Sequence, residues 1–475
     1  MSKRVGARRR PGLLVPGRTW YRGIAGSLAL AMAVTALAEA EPAFAAGSAV
    51  GRGTAASSQS KAKHYASSAV DLASARVLAR LSGKRVEALS ERTETSTTWV
   101  NANGSLTTEL SAGPVRFKDA GKWRSVDLDL QAVGGRVEPK AHPRGLRLGG
   151  GQSATAAKRS TSSASTAHDL VTLGEGDRQI ALQWKGDLPK PKLKGNRATY
   201  AGAASGADVV VEATRSGFEQ YVVLGARPGE GYSYTLPLKA KGLKVRQLKD
   251  GSLLFTDKKG KKQATMPAPV MWDARVDKVS GEHTHQAPVK LKVVRSNGTI
   301  NLVFTPDAKF LADPKTQYPV TVDPSTSALS NVFDTYVQQG ETVDWSSDVE
   351  LDMGNPGTTN SDGTPRTARS FITWNTKPIS DALVSSAKLS LWNFHSGNTD
   401  CKAYPWAVYS TGKASTASRW TSQPTWAATA SATSTETKGN PGCTAAPDGW
   451  VNADVTDLVQ TWASAKNATS GMGLR

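Results

Sequence analysis

From residue 97 onward, apolar and polar positions alternate with a period of two, and the interruptions are short. Such alternation predicts half-buried strands rather than helices. Thr97 to Leu110 turns at Asn103-Gly104, Val115 to Leu130 near Gly121, and Val289 to Phe304 at Asn297-Gly298. Asn-Gly supplies the positive φ of a tight hairpin turn, so these stretches predict hairpins. Further strands are predicted at Leu170 to Leu173, Ile180 to Trp184, Val209 to Thr214 and Phe218 to Leu224, with more following up to Thr321. Ahead of this region Val70, Ala73, Val77 and Leu81 recur at helical spacing before Gly83, which predicts one short helix. Residues 134–168 are rich in Gly, Ser and Thr and predict a loop or insertion. The middle region is then either one sheet system split by that insertion or two small ones in tandem; no repeat of fixed period is found.

The rhythm changes near Asp323-Pro324-Ser325-Thr326-Ser327. Eight of the 13 Trp lie beyond it, which marks a separate unit. There Asp348 to Met353, Ala387 to Trp392 and Trp450 to Val455 alternate, and Val455, Leu458, Val459 and Trp462 take helical spacing. Asp454 or Thr456 would cap that helix and Gly471 would end it. The expected fold class is all-β: a β-rich N-terminal region followed by a jelly-roll-like β-sandwich with one short helix.

The first residues read as an address. Ile24 to Leu37 is apolar but shorter than the roughly 20 residues of a membrane-spanning helix. Basic residues precede it, from Lys3 to Arg22, and Ala43-Phe44-Ala45 offers a small-x-small cleavage site. Residues 1–45 are therefore expected to be a signal peptide, with a mature chain starting near Ala46, secreted or associated with the cell wall and without a membrane span. Arg9-Arg10 is followed by Pro11-Gly12 rather than an apolar pair, which argues against a twin-arginine signal.

A length of 475 residues allows two or three domains at about 150 residues each. The expected division is a short helical or flexible segment at 46–83, a basic β-rich region at 84–323 and a sandwich at 328–475. Charge supports it: the net value is +17 over residues 46–327 and −3 over 328–475. Lys190 to Lys194 and Lys258 to Lys262 could meet a polyanion non-specifically, but solvated turns and edges explain them as well, and no specific nucleic-acid partner is expected.

Six blocks of the last third follow one another in order. They are Phe333-Asp334-Thr335-Tyr336-Val337, Arg369-Ser370-Phe371-Ile372, Val384 to Leu389, Trp420 with Pro424, Trp450 to Trp462, and Gly471-Met472-Gly473-Leu474. Together they resemble the DNRLRE-type domain, a family 96 carbohydrate-binding module fold. That resemblance covers 328–475 and implies a non-catalytic module that binds polysaccharide or a cell surface. It also implies a further strand after the Gly-Leu block, without which an edge would stand open. The preceding region resembles the N-terminal portion of large secreted actinobacterial surface proteins, which continue into RHS-type or LamG-type modules. Two functional expectations follow. One is a secreted, non-enzymatic surface protein with a polysaccharide or cell-wall glycan as partner. The alternative is the front of a larger RHS-type or LamG-type delivery or adhesion protein whose active module lies downstream.

Residue chemistry adds little catalytic signal. No nucleophile elbow, zinc-protease motif, phosphate loop or EF-hand loop is present, and no cofactor is expected. His283 and His285, beside Glu282, are close enough to share a metal, but two imidazoles do not complete a site. Asp348, Glu350 and Asp352 are the candidate calcium ligands. On one strand face they would stand about 6.6–6.8 Å apart, too far to clasp one ion without a loop partner such as Asp362. Trp462 and Trp374 are expected in the core. Trp345, Trp406 and Trp426 sit among Ser, Thr, Pro and Asp and are the candidate ligand-binding residues, because pyranose faces stack on exposed aromatic rings. Export makes a Cys401–Cys443 disulfide the expected fate of the two thiols.

Overall fold

Asp71 opens the first helix, α1 (Leu72–Ser82), by accepting the Ser74 N–H at 2.7 Å, and Gly83 closes it at φ 66°. Its buried face is not the predicted one. Ala75 and Ala79 are buried, with Leu72 and Leu78 packed beside them, whereas Val70, Val77 and Leu81 are exposed. Small alanines let the helix approach Val86, Ala88 and Val100 closely, with Leu72 and Leu78 at the flanks and Val77 and Leu81 outside.

The computed structural model describes residues 65–475 apart from 152–166, 205, 278–282, 297, 329–331, 349, 398–399, 441 and 444–447, together with the backbone of Ala31–Ala33. Ala31–Ala33 pairs with Glu109–Leu110 on one side and with Lys388–Ser390 on the other. The remainder of the predicted signal peptide, Glu282 and Asn297 lie outside the described residues.

The all-β expectation holds: strands dominate, with three short α-helices among the described residues, α1, α2 (Ala308–Ala312) and α3 (Thr456–Ser464). The Asn103-Gly104 signal joins Ser96–Val100 to Leu106–Leu110. The Gly121 signal becomes a two-residue turn in which Ala120 and Gly121 both have positive φ, as a type I′ turn requires. Residues 127–328 form one body of two sheets sharing one core, not two tandem units. One sheet runs from Lys290–Ser296 through Thr299–Thr305, Tyr234–Lys241, Arg178–Lys185 and Ala167–Glu175 to Asp127–Val133. The other is built around Ala207–Ala213 and Gly217–Leu224, and the fully buried Tyr200, Phe218, Phe255 and Phe304 fill the space between them. The predicted insertion contains two strands, Arg136–Ala141 and Leu146–Gly149. Polar composition misled there because Val137, Leu146 and Leu148 supply the few inward positions.

His142 ties the loop after Arg136–Ala141 to the opposite sheet. Its Nδ1 accepts the Arg144 N–H at 3.2 Å, so Nε2 carries the proton and donates to the Thr214 carbonyl at 2.8 Å. Burial, with smaller repulsion from Arg144, holds its pKa down at about 4. The neutral ring is thus favoured by the fold, and its contribution is complete above the unfolded value near 6.5 and lost as pH falls through 4. We expect stability to drop on the order of 3 kcal/mol across that window, and unfolding of His142→Gln followed at several pH values to show a flatter decline.

The C-terminal sandwich faces a five-stranded sheet against the strands Lys388–Asn393 and Gly449–Asp454. The five-stranded order is Phe333–Gln338, Ala368–Asn375, Thr469–Leu474, Trp406–Thr411 and Ala432–Ser434. The terminal Gly-Leu block is therefore a central strand paired on both sides, and the open edge expected beside it is absent. Helix α3 ends at Ser464, before Gly471, because that glycine belongs to the strand. Trp374 and Trp462 are buried as expected, among Ile372, Leu389, Val408 and Val459. Leu110 and Ala112, from the N-terminal hairpin, share this core, so the 328–475 boundary does not enclose all of it.

Candidate functional site: an arginine–aromatic cluster on the C-terminal sheet

Alternation decides which side chains leave the core. In Ala368–Asn375, Ser370, Ile372 and Trp374 are buried in the sandwich, which turns Arg369 and Phe371 to the other face. In Thr469–Leu474, Met472 and Leu474 point inward and Gly471 and Gly473 outward. Register puts Phe371 opposite Gly473, and Gly473 opposite Tyr409. It also places Arg369 and Arg475 as cross-strand neighbours, one step beyond the Ser370–Leu474 pair.

The loop after Thr411 folds back over this face. A Cβ on Gly473 would stand 2.5 Å from the Trp426 ring, so only glycine lets the indole lie on the strand. A Cβ on Gly471 would stand 2.4 Å from the Gly412 carbonyl, which fixes the loop's exit in the same way. Phe371 and Tyr409 flank the Trp426 ring with centroids at 5.0 and 5.4 Å.

Two guanidiniums complete the cluster. Arg369 lies 4.7 Å from the Trp420 centroid and 5.7 Å from that of Trp426. Arg475 lies 4.1 Å from Tyr409 and 5.3 Å from Trp426, and donates to the Tyr409 hydroxyl at 2.7 Å. Gln423 locks the assembly: its Oε1 accepts from Arg369 and from the Trp426 indole, each at 3.1 Å, and its amide donates to the Trp420 carbonyl at 2.8 Å. Burial, reinforced by repulsion from Arg475, lowers the Arg369 pKa. Such a cluster can hold an anion; it contains no acid–base pair.

The predicted site residues fare differently. Trp426 is the centre of the cluster and is half-buried, with the strand beneath it and the two guanidiniums beside it. Trp406 is buried, with its indole N–H donating to the Glu436 carbonyl at 3.0 Å. Its alternation with the buried Val408 carries it inward despite its polar neighbours. Trp345 stacks on Tyr336 at 5.3 Å. The three do not converge on one surface. Among the described residues the exposed Trp is instead Trp450, edge-on to Trp392.

Asp348, Glu350 and Asp352 do not lie on a strand; the segment is irregular, and the Asp348 carboxylate accepts the Glu350 N–H at 3.3 Å. Among the described residues no group of three or more His, Cys, Asp or Glu is placed to hold a metal ion. His285 Nδ1 donates to the buried Asp273 carboxylate at 3.0 Å, and His283 Nδ1 lies 2.9 Å from the Asp273 carbonyl. Both rings thus serve the Asp273 turn. Cys401 and Cys443 are joined by a disulfide across 42 residues. Lys190, Lys192 and Lys194 are exposed on an edge strand and the connection before it, and Lys258 and Lys259 on a hairpin turn. No helix among the described residues is long and apolar enough to cross a membrane.

No family model matches the chain. Among curated proteins it is similar to the tRNA3(Ser)-specific nuclease WapA of Bacillus spizizenii, 27% identical over 328 residues, which are 66% of this chain and 14% of that protein. It is 30% identical over 229 residues to the tRNA nuclease WapA of Bacillus subtilis strain 168, covering 47% of this chain and 10% of the relative. A tRNA(Glu)-specific nuclease WapA of Bacillus subtilis subsp. natto is 35% identical over 175 residues, 35% and 7% of the two chains. The chain thus spans about a tenth of the length of the curated relatives it matches. Their names overturn three expectations: a non-catalytic polysaccharide-binding protein, no enzyme, and no specific nucleic-acid partner. The buried Trp406 supplies a physical side to that correction, since a glycan platform needs open aromatic faces.

Proposed function

We propose that this chain is the amino-terminal β platform of a longer, exported tRNA-cleaving delivery protein, with the cleaving module further along the same polypeptide. The observation that carries this reading is the similarity, over up to 66% of the chain, to about a tenth of proteins named as tRNA nucleases. The signal-type start supports export, to the medium or the cell wall. The two sandwiches suit a platform: each buries a large core, and helix α1 with its hairpin is anchored to the second through Leu110 and Ala112.

Antibodies raised against the sandwich can capture the native secreted product for intact-mass measurement. A mass far above 50.1 kDa is expected. A product matching residues 46–475 would refute the proposal.

A further inference from the structure

The arginine–aromatic cluster has a charge imbalance that the platform reading does not use. Arg369 and Arg475 are cross-strand neighbours of like charge, a placement that destabilises a sheet unless something offsets it. Neither guanidinium is paired with an Asp or Glu carboxylate within 4.0 Å among the described residues, whereas Arg366, three residues before Arg369 and ahead of the strand, is paired with Glu341 at 2.7 Å. The Arg369 Nε is buried with no hydrogen-bond partner. Aromatic rings offset part of the positive charge, but they accept none of these N–H groups in the plane of the guanidinium. Gln423 supplies a single acceptor oxygen to Arg369, and it is shared with Trp426.

We propose that Arg369 and Arg475 form a receptor for a phosphate group. A carboxylate has two oxygens in one plane and is satisfied by one guanidinium fork. A phosphate carries close to two charges and at least three accepting oxygens, which matches two neighbouring forks. Trp420, Trp426 and Tyr409 hold both side chains in place before the anion arrives, so little side-chain freedom is lost on binding. Gly473 is part of the receptor in an indirect way, because it lets Trp426 lie low enough to hold both guanidiniums.

The test is thermal unfolding of the chain in inorganic phosphate, glycerol 3-phosphate, acetate or chloride at constant ionic strength. Phosphate should raise the midpoint in a concentration-dependent way that acetate and chloride do not reproduce. The exposed Arg475 makes R475Q the variant that keeps its fold; its phosphate affinity should fall at least tenfold, and R369Q should do the same. Line broadening of the phosphorus-31 signal by the unmodified chain, relieved in R475Q, gives a readout independent of stability. A stronger response to free phosphate would identify the ion itself as ligand, and a stronger response to the ester a phosphomonoester on a larger molecule; both support the receptor. Equal midpoints in phosphate and chloride, or equal affinity in R475Q and the unmodified chain, would overturn it. This outcome is independent of the mass of the native product, so the receptor and the platform stand or fall separately.

Discussion

Trp374→Ala is expected to lower stability by about 3–5 kcal/mol, the cost of emptying a fully buried indole site. The ring stands on the strand Ala368–Asn375, which pairs with Phe333–Gln338 on one side and Thr469–Leu474 on the other. Its neighbours Ile372, Leu389, Leu458 and Met472 come from both sheets and from helix α3, so the cavity cannot close by moving one element. The indole N–H is buried without a partner, so truncation gives up packing and no hydrogen bond. A shift in the denaturant midpoint with little change in slope would show a loss of packing in an unchanged fold. A loss below 1 kcal/mol would mean that this core is looser than described.

Reduction of Cys401–Cys443 should cost about 4 kcal/mol in the chain-entropy account, which applies to a loop closed across 42 residues. The enclosed segment holds Trp406–Thr411 and the loop carrying Trp420 and Trp426, with few regular elements of its own. The bridge therefore restrains the part of the chain that covers the arginine face. Thermal unfolding with and without reductant checks this: the midpoint should fall several degrees. An unchanged midpoint would show that the loop is fixed by its packing on Phe371 and Gly473 alone. Loss of the phosphate response on reduction would in turn link the bridge to the receptor.

Much of the fold is legible in the sequence because it depends on local pattern. Alternation finds the strands, Asn-Gly and the glycine at 121 find hairpin turns, and the spacing from Val455 to Trp462 finds α3. What fails is the sidedness of short elements. In α1 the centre of the buried face is Ala75 and Ala79 with Leu72 and Leu78 beside them, while the predicted Val77 and Leu81 face out. Asp348 to Met353 alternates like a strand, but its described residues join no ladder. Trp406 looks exposed from its neighbours in sequence and is buried by its neighbours in space.

The arginine–aromatic cluster was beyond reach for a different reason. Three of the blocks that carry the family resemblance, Arg369-Ser370-Phe371-Ile372, Trp420 with Pro424 and Gly471 to Leu474, meet there. Each block shows which residues share a face, yet only the pairing of strands about 100 residues apart brings Arg369 beside Arg475. Composition could not reveal it either, since the C-terminal third is net acidic while this patch is cationic.

Incubating the native secreted protein, captured through its C-terminal sandwich, with total tRNA tests the central claim most directly. The account predicts discrete tRNA fragments. A captured full-length protein that leaves the tRNA pool intact would contradict it.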